Sequence, residues 1–98
     1  MDLPHIESYG KYAGKNYGTN ALRLTIGPLS IWYSYQTPIA FSLYGTRTVR
    51  ENDWKQTTGQ HLNAIDGGSV AAKRARVTSD EFVLAWDLHI APLFREGV

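Results

Sequence analysis

Residues 49–63 read Val49-Arg50-Glu51-Asn52-Asp53-Trp54-Lys55-Gln56-Thr57-Thr58-Gly59-Gln60-His61-Leu62-Asn63, and they gather the densest set of polar handles in the chain. Carboxylates, an imidazole, cations, amides and a tryptophan share one connection. An acid–base reaction would use His61 with Asp53 or Glu51, as in a small hydrolase. Protein recognition would use Arg50, Asn52, Asp53, Trp54, His61 and Asn63, since Trp and Arg are the types most enriched at binding hot spots. The plainer role for His61 is a polar residue that supports the loop. Glu51 and Asp53 lie too close together on one loop to flank a sugar as a glycosidase pair does. Helix capping and ion pairs with Arg50 or Lys55 account for them more simply.

Other chemistries lack their patterns. His5, His61 and His89 show no H-x-H or H-x-x-x-H spacing, and there is no cysteine. No metal site and no cofactor is therefore expected, and no disulfide or Cys nucleophile is available. No serine lies in G-x-S-x-G, and neither G-x-x-x-x-G-K-[ST] nor G-x-G-x-x-G occurs. His89, one turn after Trp86, reads as a helix-flanking histidine.

A second constellation is basic and aromatic. Tyr9, Tyr12 and Tyr17 interleave with glycines and with Lys11 and Lys15, while Lys73, Arg74 and Arg76 sit together further on. Tyrosines beside cations are the general plan of a single-strand nucleic-acid binder. Tyr rings more often cover a core with the hydroxyl wet, and charge runs more often face water. With 10 Lys and Arg against 9 Asp and Glu, the net charge of +1 excludes both a polycation and a DNA mimic. A nucleic-acid partner is thus disfavoured against a protein partner.

The elements that must position these residues follow from periodicity. Ninety-eight residues make one domain, 1–98. Residues 1–20 form a Tyr/Gly-rich N-terminal segment. Residues 21–50 hold antiparallel strands: Leu22, Leu24 and Ile26 alternate with Arg23 and Thr25, and Ile31 to Tyr35 and Ile39 to Leu43 repeat the pattern. Gly27-Pro28, Thr37-Pro38 and Gly45-Thr46 mark the turns, and Arg47 to Arg50 offers a short fourth strand. Connections this short require a meander. Rings on both faces of Ile31 to Tyr35 imply that part of the second face is covered. A short helix spans 57–66, with Thr57 and Gln60 as a capping box and Gly67-Gly68 as its stop. It places His61 in its first turn, where the positive helix end keeps the imidazole neutral. Trp54 is the natural anchor for Leu62 and Ile65. Residues 69–76 read as a linker. Thr78 and Glu81 form a second capping box for a helix over 79–91, whose Phe82, Val83, Trp86 and Ile90 make one apolar stripe. Pro92 ends or kinks it.

Three pieces in combination, Leu22-Arg23-Leu24-Thr25-Ile26-Gly27, Tyr33 to Phe41, and Val49 to Trp54 with Thr57-Thr58-Gly59-x-His61-Leu62-Asn63, resemble small proteins of bacteriophages and other mobile elements, a family without assigned activity. The resemblance implies a mobile-element origin and no catalytic residues. Such proteins are often non-enzymatic binders that block host machinery, including defence nucleases such as CRISPR effectors.

The expected fold is α+β: a three- or four-stranded antiparallel meander, a short helix, and a C-terminal helix packed on one face. The expected function is a non-enzymatic, phage-type protein-binding domain that occupies an unidentified host protein. A nucleic-acid binder and a small hydrolase centred on Asp53 and His61 are the alternatives. No signal peptide and no membrane span are visible, so the expected location is the bacterial cytoplasm.

Overall fold

The computed structural model describes residues 4–9, 21–53 and 56–96. Strands form where the alternation places them: β1 (His5–Ser8), β2 (Ala21–Ile26), β3 (Leu29–Ser34), β4 (Thr37–Leu43) and β5 (Thr46–Val49). Each pairs antiparallel with its sequence neighbour, in the order β1-β2-β3-β4-β5. The fold is the expected α+β meander, with five strands instead of the three or four read from the sequence. The added strand, β1, lies inside the segment read as a Tyr/Gly arm. Its four residues hold a single apolar side chain, too little alternation to mark a strand, and pairing with β2 forms it.

Two-residue turns join the central strands. Tyr44 (φ 51°) and Gly45 (φ 83°) both adopt the left-handed conformation that suits the twist of a tight hairpin. Tyr35, directly after β3, does the same at φ 57°, an uncommon and costly backbone for an aromatic residue. A bulge interrupts the β3–β4 ladder: Trp32 pairs with Ala40 but Tyr33 with Pro38. The extra residue, Ile39, packs in the same cluster as its neighbour Ala40.

The sheet is the middle of three layers. Helix α1 (Gln56–Asp66) covers one face, where Leu62 and Ile65 meet Tyr9, Ala21, Ile39, Ala40 and Val49, with Trp32 packed beside them. A six-residue helix α2 (Val70–Ala75) follows, then α3 (Ser79–His89) and α4 (Ala91–Glu96). On the other face, Phe82 of α3 and the adjoining Ile90 pack on Leu29, Ile31 and Phe41. Large side chains on both faces of β3 are accounted for by this double cover.

Thr78 caps α3 as expected: its hydroxyl accepts from the Glu81 amide, and Glu81 accepts from the Thr78 amide. Three expectations need correction. The linker over 69–76 contains α2, because Ser69 accepts a hydrogen bond from the Ala72 amide and starts a turn of small residues. The helix read over 79–91 ends at His89, with Ile90 as its cap; α4 then begins at Ala91 with Pro92 in its first turn, where a missing N–H costs nothing. Val83 does not belong to the buried stripe; it is exposed, and Ala85 takes the inward position beside a half-buried Trp86.

Phe82 rather than Trp86 is thus the anchor of α3, since it is 2% exposed and its ring lies 5.5 Å from Phe41. Phe82→Ala is expected to cost about 3–5 kcal/mol in denaturant unfolding, the usual range for a buried large aromatic. Val83→Ala should change stability by less than about 0.5 kcal/mol, as exposed sites do. Equal losses at the two positions would place the helix in a different rotation.

Candidate functional site

Helix α1 turns Thr58, His61, Leu62 and Ile65 toward the sheet, the spacing of one helical face. His61 is the sixth residue of the helix, not part of its first turn, and it is fully buried. Its Nδ1 lies 2.6 Å from Ser34 Oγ at the end of β3, and Ser34 Oγ lies 3.2 Å from Thr58 Oγ1. The rings of Tyr9 and Tyr35 stand 6.2 Å and 6.0 Å from the imidazole. Burial pushes the His61 pKa below its ordinary value, so the ring is neutral at neutral pH. The physical cause is desolvation rather than the helix dipole invoked from the sequence.

Ser34, Thr58 and His61 make a buried hydroxyl–hydroxyl–imidazole cluster, in which a nucleophile type meets a base. Ser34 and Thr58 border a recess of about 90 Å³ with Tyr35, Thr37 and Ile39. That space holds a few water molecules, not a substrate. Ser34 is also 3% exposed, so the cluster reads as a seam that fastens α1 to the β3–β4 turn. Sequence reasoning missed Ser34 because it stands 27 residues from His61 and in no local motif. Only its place on the Trp32 side of an alternating strand pointed to burial under a second layer.

The loop before α1 is likewise engaged with its own fold. Arg50 bridges to Val77 in parallel, its guanidinium sits 5.0 Å from the Phe82 ring centre, and Nη1 is 3.5 Å from Pro38 O. Desolvation lowers the Arg50 pKa and the Asp53 charge partly offsets this. Asn52 leans on the first turn of α1: a Cβ at Gly59 would lie 2.9 Å from its Nδ2 and would displace that amide. Asp53 accepts a hydrogen bond from Ser79 at the start of α3. Asp53 thus pairs with Ser79 and His61 with Ser34, and the acid–base pair read from the sequence is not assembled. Trp54 lies outside the described residues, and Thr57 falls inside α1, which begins at Gln56, rather than ahead of it as a cap.

Asn63 and Arg76 belong to a third cluster. Arg76 grips Asp66 in two parallel bonds, Nε to Oδ2 at 2.8 Å and Nη2 to Oδ1 at 2.9 Å, and Nη2 also donates to Asn63 Oδ1 at 3.0 Å. Both charged side chains are nearly buried, at 6% and 5% exposure. Burial raises the Asp66 pKa, but the Arg76 bonds, the Gly68 amide and the charges of Arg76 and Arg47 outweigh it and hold the carboxyl below its ordinary value. A Cβ at Gly68 would lie 2.6 Å from Asn63 Oδ1, so the turn that delivers the amide needs glycine.

Of the basic-aromatic candidates, Tyr9 is buried with its hydroxyl donating to Tyr33 O at 2.7 Å, so it offers no ring to a base. Arg76 is held by Asp66. Tyr12 and Tyr17, with Lys11 and Lys15, lie outside the described residues. Lys73 and Arg74 are exposed on α2.

The sequence reading overlooked the outer surface of α3 and α4. Val83, Leu84 and Leu88 of α3 and Leu93 and Phe94 of α4 are 46% to 63% exposed. Asp80, Glu81 and Asp87 are exposed on the same helix. Its solvent-facing arc is therefore acidic and apolar. The signal was present as Leu84 and Leu88 at i, i+4, outside the inward stripe.

The chain belongs to a family of unknown function, DUF8033, whose model matches residues 1–83. No curated protein and no solved structure matches it significantly.

Two titrations follow from the clusters. A buried neutral histidine contributes stability that is complete above its unfolded pKa of about 6.5 and declines as pH falls toward its depressed folded value. Asp66, with its pKa lowered, contributes stability that is complete above the ordinary carboxylate range and is lost as pH falls through its folded value. Denaturant unfolding from pH 8 to 3 should show both declines, and His61→Gln should remove the upper one. Asp66→Asn should cost about 3–5 kcal/mol at neutral pH, the range for breaking a buried pair. A flat profile between pH 7 and 5 would show that His61 titrates as if exposed.

Proposed function

We propose that this chain is a non-enzymatic protein-binding domain whose contact surface is the outer face of α3 and α4. One observation carries the reading: five large apolar side chains stand exposed on two consecutive helices. Scattered exposed apolar residues need no explanation, but a set of them on one element marks an interaction surface. The neighbouring Asp80, Glu81 and Asp87 specify the partner as a protein surface that is apolar at its centre and rimmed by Lys or Arg. This relocates the contact from the 49–63 loop, where His61 is buried and Arg50, Asn52 and Asp53 serve the fold. Asn63, on α1, is exposed beside Arg76 and remains a peripheral contact. The resemblance to phage and mobile-element proteins supplies the setting: a host protein, with an anti-phage defence effector such as a CRISPR effector as the leading class. The enclosed Ser34–His61 cluster and the separation of Asp53 from it disfavour a hydrolase.

Cross-linking of the purified chain in bacterial lysate, followed by identification and purification of the captured protein, tests the proposal. Affinity for that protein should fall at least about tenfold in Leu84→Asp/Leu88→Asp, a loss of about 1.4 kcal/mol. Melting temperature should stay near wild type, and Lys73→Ala/Arg74→Ala should bind normally. Added salt should weaken binding through the acidic rim. Undiminished affinity in the leucine variant would end this reading. Oligonucleotide binding tighter than about 1 μM at physiological salt, lost in the Lys73/Arg74 variant, would replace it with the nucleic-acid reading.

A further inference from the structure

The face of α3 opposite its exposed arc does not close completely on the sheet. A recess of about 260 Å³ remains between β4, β5 and α3, lined by Phe41, Leu43, Thr46, Thr48, Ala85 and His89. We propose that it is a binding site for a small aromatic carboxylate, one ring bearing one acid group. The site is distinct from the protein-binding face and does not depend on it.

Its size sets the first limit. The volume lies just below the range of about 300–1,000 Å³ usual for ligand pockets, so it fits a single ring and not a nucleotide. The space exists because Ala85 occupies an inward position of α3. Its neighbours on that stripe, Phe82 and Trp86, are large and meet Phe41 at ring separations of 5.5 Å and 6.1 Å. Beside this stacked pair, the small Ala85 side chain leaves a gap between α3 and the β4–β5 strands.

The lining chooses the ligand. Phe41 is buried against Phe82 and Trp86 and forms the apolar floor of the recess. Leu43 and Ala85 complete an apolar wall. The polar groups are the hydroxyls of Thr46 and Thr48 on one side and the His89 imidazole on the other. All three can donate hydrogen bonds. None carries a negative charge. An acid group between β5 and His89 is therefore served by donors, while an ammonium group finds no carboxylate in the lining. The neighbouring Arg47 reaches the other face of the sheet, where it donates to Ile65 O at 2.8 Å, so it neither blocks nor charges the recess.

The test is an NMR titration of the ¹⁵N-labelled chain with sodium benzoate and, separately, benzylamine, which keeps the ring and reverses the charge. Benzoate should give saturable shifts centred on Phe41, Thr46, Thr48, Ala85 and His89, with a dissociation constant below about 1 mM. Benzylamine should bind at least about tenfold more weakly. Ala85→Leu, which fills the recess from the helix side, should abolish the benzoate shifts, and His89→Ala should weaken binding at least about tenfold. If Ala85→Leu disturbs folding, Thr48→Leu fills the recess from the strand side and should have the same effect. Absence of saturable shifts, equal binding of benzylamine, or benzoate binding that survives a folded, filled variant would overturn the proposal.

Discussion

The three layers are held in relation by the buried pair of Asp66 and Arg76. α1 lies on one face of the sheet and α3 on the other, so the chain between them must pass around an edge. The pair closes that passage where it leaves α1 and where it leaves α2. Arg76 is fixed by both carboxylate oxygens of Asp66 and by Asn63. The next residue, Val77, then falls beside β5, donating to Val49 O at 2.8 Å and accepting from the Glu51 amide at 2.7 Å. Thr78 follows at once and caps α3. A bidentate buried pair costs desolvation, and its value here is geometric: it sets where the chain crosses and therefore which face α3 meets.

The two helical layers then use the sheet differently. On the α1 side, polar groups are built into the contact, with Ser34, Thr58 and His61 bonded in the interior. Hydrogen bonds of this kind specify one rotation and depth for a helix with little apolar surface of its own. On the α3 side the contact is aromatic and aliphatic, and it tolerates a gap beside Ala85. The polar side resists slippage; the apolar side leaves room for chemistry at its margin. Of the residues that draw the eye in the sequence, His61 serves the first purpose, while Arg50 and Asp53 tie the loop before α1 to α3.

How much could be read beforehand depended on how local each cause was. The central strands were legible because Leu22, Leu24 and Ile26, or Ile39 to Leu43, alternate over consecutive residues. The Thr78–Glu81 box was legible because both halves of the cap lie within one turn. β1 was not, because Ile6 is its only apolar residue and its partner Leu24 stands 18 residues away. α2 was not, because Ala71 and Ala72 bury little and the helix rests on one Ser69 cap and its neighbours. Val83 and Ala85 exchanged places because Phe82, Val83 and Trp86 fit a stripe as well as Phe82, Ala85 and Trp86 do until the sheet is in place. The sequence places His61 in the first turn of a short helix, and its partner Ser34 follows only from knowing that α1 covers the end of β3.

The seat of Val77 beside β5 has a consequence for behaviour at high concentration. An open strand edge is a template on which another chain can add, the first step toward sheet-to-sheet aggregation. At Val49 and Glu51 the backbone groups that would serve as that template are already bonded to Val77. The chain thus supplies its own single parallel bridge, Arg50 with Val77, just past the end of β5, and intermolecular sheet growth is blocked where β5 runs out into the loop.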